Sequence, residues 1–117
     1  MEAFLMLKFV YFISSDKIGN QDAALGHILM RNFFRKLIEA SEKPTHLLFV
    51  ESGVKLLLPE FEANEAFKQL EEEGVKLLVC KTCLDFYGIA KKISAGEESD
   101  MPSIIKVMHE ADKVISL

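Results

Sequence analysis

Val75-Lys76-Leu77-Leu78-Val79-Cys80-Lys81-Thr82-Cys83-Leu84-Asp85-Phe86-Tyr87 joins an apolar run of buried-strand character to the first turn of a helix or a tight loop, and the chain's only two cysteines sit at the junction. In an open α/β sheet, ligands bind outside the carboxyl ends of the strands. A thiol at such an end meets the positive end of a helix, whose free N–H groups stabilise a thiolate. Lys81 adds positive charge nearby and Asp85 partly opposes it. The C-x-x-C pair in an α/β pattern reads as a reactive cysteine or a redox pair. The plainer alternative is two small, half-buried hydrophobes, since free cysteine is among the most buried residue types.

Working outward, the flanking segments alternate strand and helix. Phe4 to Ile13 is a long apolar run that fits a central strand buried on both faces. A polar loop from Ser14 to Asp22 follows, with Gly19 free to take positive φ and Asp22 placed to cap the next helix. In that helix Leu25, Ile28, Leu29, Phe33 and Leu37 mark an apolar face, widened by Met30, Phe34 and Ile38. Thr45 to Val50 is a second strand, ending in the glycine-bearing loop Glu51-Ser52-Gly53-Val54. Lys55 to Pro59 fits a helical turn or an extended piece equally. Glu62 to Glu73 is an amphipathic helix with Ala63, Ala66, Phe67 and Leu70 inward. The acidic run Glu71-Glu72-Glu73 reads as a solvated end.

After the cysteines, Tyr87 to Ile93 reads as a short helix followed by a small strand, and Ser94 to Asp100 as a mobile loop. Asp100 caps a last helix, with Pro102 in its first turn and Met101, Ile104, Ile105, Met108 and Ala111 on its core face. Lys113 to Leu117 closes the chain as a strand. The alternation predicts one domain over 1–117, a three-layer α/β/α sandwich with about five mostly parallel strands.

The chain of 117 residues carries a net charge of -4 and no basic stripe, which argues against nucleic-acid binding. No apolar run approaches the ~20 residues of a membrane span. Met1 to Ile13 carries Glu2 and Lys8 and lacks a basic start and a small-residue cleavage site, so no signal peptide is expected. Two cysteines in an otherwise disulfide-free chain fit a reducing cytoplasm.

Together these stretches resemble the DsrE/DsrF-like family, and most nearly the DsrE-like domain at the carboxyl end of YedF-type selenium-metabolism proteins. The resemblance rests on Ser15-Asp16 with Gly19, Leu25-Gly26 with Ile28-Leu29-Met30, and Ser52-Gly53-Val54-Lys55-Leu56. It continues through Gly74-Val75, Cys80-x-Thr82-Cys83-Leu84-Asp85-Phe86-Tyr87-Gly88 and Ala111-Asp112-Lys113-Val114-Ile115. It implies a flavodoxin-like topology, a sulfurtransferase-like role, and a persulfide on a cysteine of the loop after the third main strand; no cofactor is expected. Counted from Gly88, Cys80 falls at that position, while Cys83 is particular to the YedF-like branch. Lys81 stands where that branch usually has glycine. The sulfur-carrier domain that precedes it in YedF-type proteins does not occur in this sequence, so sulfur or selenium is expected from a separate donor or carrier protein.

Cys80 and Cys83 are thus the candidate catalytic pair, with Asp16, Gly19, Glu51, Ser52, Gly53, Lys81 and Thr82 as candidate loop and substrate support. The three loops share one edge if the strands are parallel. Whether the helix end and Lys81 lower the thiol pKa, or burial by Val79, Leu84 and Phe86 raises it, stays open at this level. Zinc is not expected, because two cysteines would need two of His27, His46 and His109, which lie on different elements. A thiol–disulfide redox protein and a non-catalytic oligomeric binding module are the alternative readings. A homo-oligomer (dimer, trimer or hexamer) is expected from the surplus of large apolar residues, notably Met30, Phe33, Phe34, Leu37 and Ile38, and Leu56, Leu57, Leu58 and Phe61. Charged substitutions at Leu57 or Phe34 are then expected to break the assembly without unfolding the chain.

Overall fold

In the computed structural model, residues 7–117 are described. Five strands form one sheet: β1 (Phe9–Ile13), β2 (His46–Phe49), β3 (Lys76–Cys80), β4 (Glu97–Ser99) and β5 (Lys113–Ser116). Four α-helices accompany them: α1 (Ala23–Leu37), α2 (Asn64–Glu72), α3 (Lys81–Tyr87) and α4 (Met101–Glu110). A 3-10 helix over Glu51–Leu57 follows β2 directly. Every strand pair is parallel, and the order across the sheet is β4-β3-β2-β1-β5. The α/β class and the five parallel strands agree with the sequence. The order does not follow flavodoxin's 2-1-3-4-5: β4 pairs with β3 at one edge, and α4 carries the chain back across the sheet to set β5 beside β1.

The strands alternate inside residues between two layers, as a period of two requires. Ile13, Leu47, Phe49, Leu77 and Val79 face a large core closed by α1, α2, α3 and the 3-10 helix. Val10, Leu48, Val50, Leu78 and Cys80 face the other way, against Ile104 of α4. The first layer holds five of the nine phenylalanines: Phe33, Phe34, Phe49, Phe61 and Phe67. The Phe67 ring lies 4.7 Å from Phe34 and 5.6 Å from Phe49, centroid to centroid.

Several expectations change here. The part of the first expected strand at residues 4–6 lies outside the described residues, and β1 begins at Phe9. The buried face of α1 is Gly26, Met30, Phe34 and Leu37, while Leu25, Ile28 and Leu29 are exposed. Gly26 turns the helix this way because the loop before it packs on its Cα: the Ile18 N–H donates to the Gly26 carbonyl at 3.1 Å. Leu56 and Leu57 are not surplus either; the 3-10 helix turns both into the core. The apolar residues cited for an interface therefore mostly fill the interior. On α4, Ile104 is buried, but Met101 and Ile105 are exposed. No strand forms over 89–93. The expected loop instead yields β4, pinned by Ser94 Oγ on the Leu57 carbonyl and by the Gly96 N–H on Glu71 Oε2 at 3.0 Å. Asp100 does cap α4, accepting from the Ser103 N–H at 2.8 Å.

Candidate functional site

Because all strands run in parallel, the turns after β1, β2 and β3 meet at one edge. The links between them are specific. The Val50 N–H donates to the Ile13 carbonyl at 3.0 Å, and the Asp16 N–H donates to Ser52 Oγ at 3.2 Å. Gly53 is buried under this joint. A Cβ there would sit 2.3 Å from the Ile13 carbonyl oxygen, so only glycine lets the second turn lie on the first strand's end.

Cys80 ends β3 and is the N-cap residue of α3. Its thiol points into the layer under α4, and the residue is only 3% exposed. Cys83, one turn on, is half-buried and touches both core layers. Cys83 packs against the cluster that contains Cys80, and both cysteines are free rather than bonded as a disulfide. The Glu51 N–H donates to Cys83 Sγ at 3.1 Å. Tyr87, one further helical turn along α3, donates its hydroxyl to Glu51 Oε1 at 3.2 Å. Lys55 Nζ rests 4.3 Å from the centre of the Tyr87 ring.

Burial pushes the Cys83 thiol above the ordinary range. The Glu51 N–H acts in the opposite direction, and the neighbouring Cys80 and the Glu51 carboxylate push the thiol further up. Lys81 does not offset this, because its ammonium is bound to Asp85 at 2.7 Å on the exposed side of α3. The question the sequence left open is thus decided for Cys83: desolvation outweighs the backbone donor, and the resting form at neutral pH is the thiol. The Tyr87 hydroxyl is raised in turn, by desolvation first and then by its bond to Glu51 and the charges of Glu51, Cys83 and Asp16.

Of the candidate residues, Asp16, Glu51, Ser52, Gly53, Cys80 and Cys83 are gathered at this edge. Thr82 faces solvent, and Lys81 is taken by Asp85. Gly19 is exposed at the far end of its loop with φ +86 and serves that turn. Three contributors were missed as site residues. Tyr87 lies four residues after Cys83, the spacing that stacks side chains on one helix face, and this signal was available. Lys55 reaches the site only because the 3-10 helix turns it outward beside α3. His27 sets its Nδ1 3.2 Å from the Asp16 carbonyl and fixes the first loop from behind. Among the described residues no group of three or more His, Cys, Asp and Glu is placed to hold a metal ion. His46 is at the start of β2, at the opposite end of the sheet.

Residues 8–117 match the model of the DsrE/DsrF-like family. The chain belongs to that family. Two solved structures share the fold of this DsrE-like protein. The YchN protein of E. coli aligns with a TM-score of 0.69 at 17% identity, covering 95% of this chain and 100% of its own. The MTH1491 protein of Methanobacterium thermoautotrophicum aligns with a TM-score of 0.66 at 18% identity, covering 95% and 99%. Among curated proteins, none matches the sequence. The DsrE-like family is associated with sulfur relay in general. No described helix is long and apolar enough to cross a membrane.

Proposed function

We propose that this DsrE-like protein is a sulfur or selenium relay protein, receiving the transferred atom as a persulfide (or its selenium counterpart) on the Cys80–Cys83 pair. The observation that carries the reading is the juxtaposition of two reduced thiols at the carboxyl edge of the sheet, one of them held by the Glu51 N–H. The residues Cys80-x-Thr82-Cys83 through Tyr87-Gly88 favour the selenium-metabolism branch of the family. The donor is a separate protein or small-molecule persulfide.

Exposure favours Cys83 as the first acceptor, because a donor reaches a half-buried thiol before one that is 3% exposed. Cys83 loses its proton to water and its sulfur attacks the terminal sulfur of a donor R–S–SH. The donor's S–S bond breaks, R–S⁻ leaves and takes up a proton, and Cys83 becomes Cys83–S–SH. The exchange is redox-neutral and needs no cofactor. An acceptor nucleophile then removes the terminal sulfur. Alternatively, Cys80 attacks Cys83 Sγ, giving a Cys80–Cys83 disulfide and hydrogen sulfide.

The test is incubation with a cysteine desulfurase and cysteine, followed by intact mass with and without reductant. A reductant-sensitive gain of one sulfur is expected in wild type and in Cys80→Ser, and loss of it in Cys83→Ser. Because burial raises the Cys83 pKa, uptake should rise with pH through and above the ordinary thiol range. No sulfur gain in wild type sinks the proposal. Loss of the gain in Cys80→Ser alone moves the carrier to the position the family spacing assigns. The packing of Cys83 against the cluster of Cys80, with both thiols free, favours one second reading, a thiol–disulfide redox pair. It is recognised by reversible oxidation to an intramolecular disulfide without any sulfur gain.

A further inference from the structure

Glu51 is the only non-glycine residue with positive φ among the described residues, at +53. Glycine is the default residue for such a backbone, and strain of this kind gathers at functional sites. Here it has a visible result. The left-handed turn after Val50 aims the Glu51 N–H at Cys83 Sγ, while the side chain of the same residue meets the Tyr87 hydroxyl. One residue therefore presents a donor and a negative charge to the same sulfur, and the two oppose each other. The donor suits a thiolate or a persulfide anion; the carboxylate disfavours either.

We infer that Glu51 gates the sulfur site. Its N–H prepares Cys83 for an anionic sulfur, its exposed carboxylate beside that sulfur turns away anionic donors, and a cationic group on the incoming donor enters by covering the carboxylate. The partner this predicts is a sulfur donor with lysine or arginine beside its reactive persulfide. The inference deepens the relay reading and takes the identity of the donor step from it.

The surrounding charges support this assignment. Asp16 is paired with Lys17 at 3.7 Å, and Lys81 with Asp85 at 2.7 Å. Lys55 sits over the Tyr87 ring, and Cys80 lies against Cys83 from the β3 side. Glu51 is exposed, and among the described residues its carboxylate holds only the Tyr87 hydroxyl, a neutral partner. Its charge thus faces outward and is open to a visiting cation.

Charged thiol reagents read this without any sulfur donor. A methanethiosulfonate reacts with a thiolate to give Cys83–S–S–R and methanesulfinate, and the group R can be a cation or an anion. Labelling rates at Cys83 are measured by peptide mapping on the full chain. Wild type should react severalfold faster with the cationic reagent than with the anionic one. Glu51→Gln keeps the N–H and the bond to Tyr87, and should bring that ratio close to one by raising the anionic rate. Glu51→Gly should do the same and raise Tm, because glycine releases the backbone strain. A ratio unchanged in both variants overturns the inference. So does a ratio that collapses in Asp16→Asn while surviving Glu51→Gln. Failure of desulfurase loading would leave these rates interpretable, so the gate and the relay reading fail separately.

Discussion

Gly53→Ala should cost about 1–3 kcal/mol of stability, the usual range for forcing atoms into a packed site, or more. The added methyl would meet backbone, not a side-chain tip that can swing away: the Ile13 carbonyl oxygen lies 2.3 Å from its position. Either β1 or the turn after β2 must shift. The turn carries Glu51 and Ser52, so the bonds Glu51 N–H to Cys83 and Asp16 N–H to Ser52 should weaken together. Urea unfolding would show the loss, and native-state labelling of Cys83 would accelerate as its cover loosens. An alanine variant with the wild-type midpoint and labelling rate would mean that the joint is plastic.

Phe34→Asp should abolish folding. The ring is fully buried between Phe33 and Phe67, at centroid distances of 5.1 and 4.7 Å. Truncating such a ring costs about 3–5 kcal/mol, and an unpaired buried carboxylate costs more again. The sum is comparable with the ~5–15 kcal/mol that hold a typical domain together. This reverses the expectation that Phe34, or the equally buried Leu57, joins copies of the chain. Ile28→Asp is the informative partner variant, because Ile28 is exposed beside Leu25 and Leu29. It should stay within roughly 0.5 kcal/mol of wild type. We propose that copies of the chain associate through this exposed face of α1, and that association should be lost in it. Circular dichroism and sedimentation at micromolar concentration separate the two effects. A folded Phe34→Asp refutes the first prediction, and wild type sedimenting only at 13.2 kDa refutes the second.

The architecture was legible wherever pattern and chemistry agreed. Val75 to Val79 read as a buried strand, and Asp100 with Pro102 marked the start of α4 from side-chain chemistry alone. The meeting of Asp16, Glu51 and the cysteines followed from the parallel order without any contact being known. The misreadings have physical reasons. The first half of α1 is apolar on several sides, so periodicity could not choose a face; the approach of the Ile18 loop to Gly26 chose it. Glu97-Glu98-Ser99 has no strand character, and tertiary bonds from Glu71 and the pairing with β3 impose it. The left-handed backbone of Glu51 is invisible in sequence, because no preference of glutamate announces it.

The return of α4 across the back of the sheet has a kinetic consequence. β4 and β5 lie on opposite edges yet are joined by that one helix, so residues 97–116 form a strap clipped at both sides. Its far clip, Phe9 against Lys113, closes a loop over nearly the whole chain, and such non-local pairing forms late in folding. The strap should then open as one cooperative unit. Amide hydrogens of β4 and β5 would exchange at a common free energy below that of β1, β2 and β3, despite the width of the sheet between them. Each opening would also lift Ile104 from Cys80 and give the inner thiol its access to solvent. Exchange in β4 and β5 at clearly different free energies would show two independent edges instead.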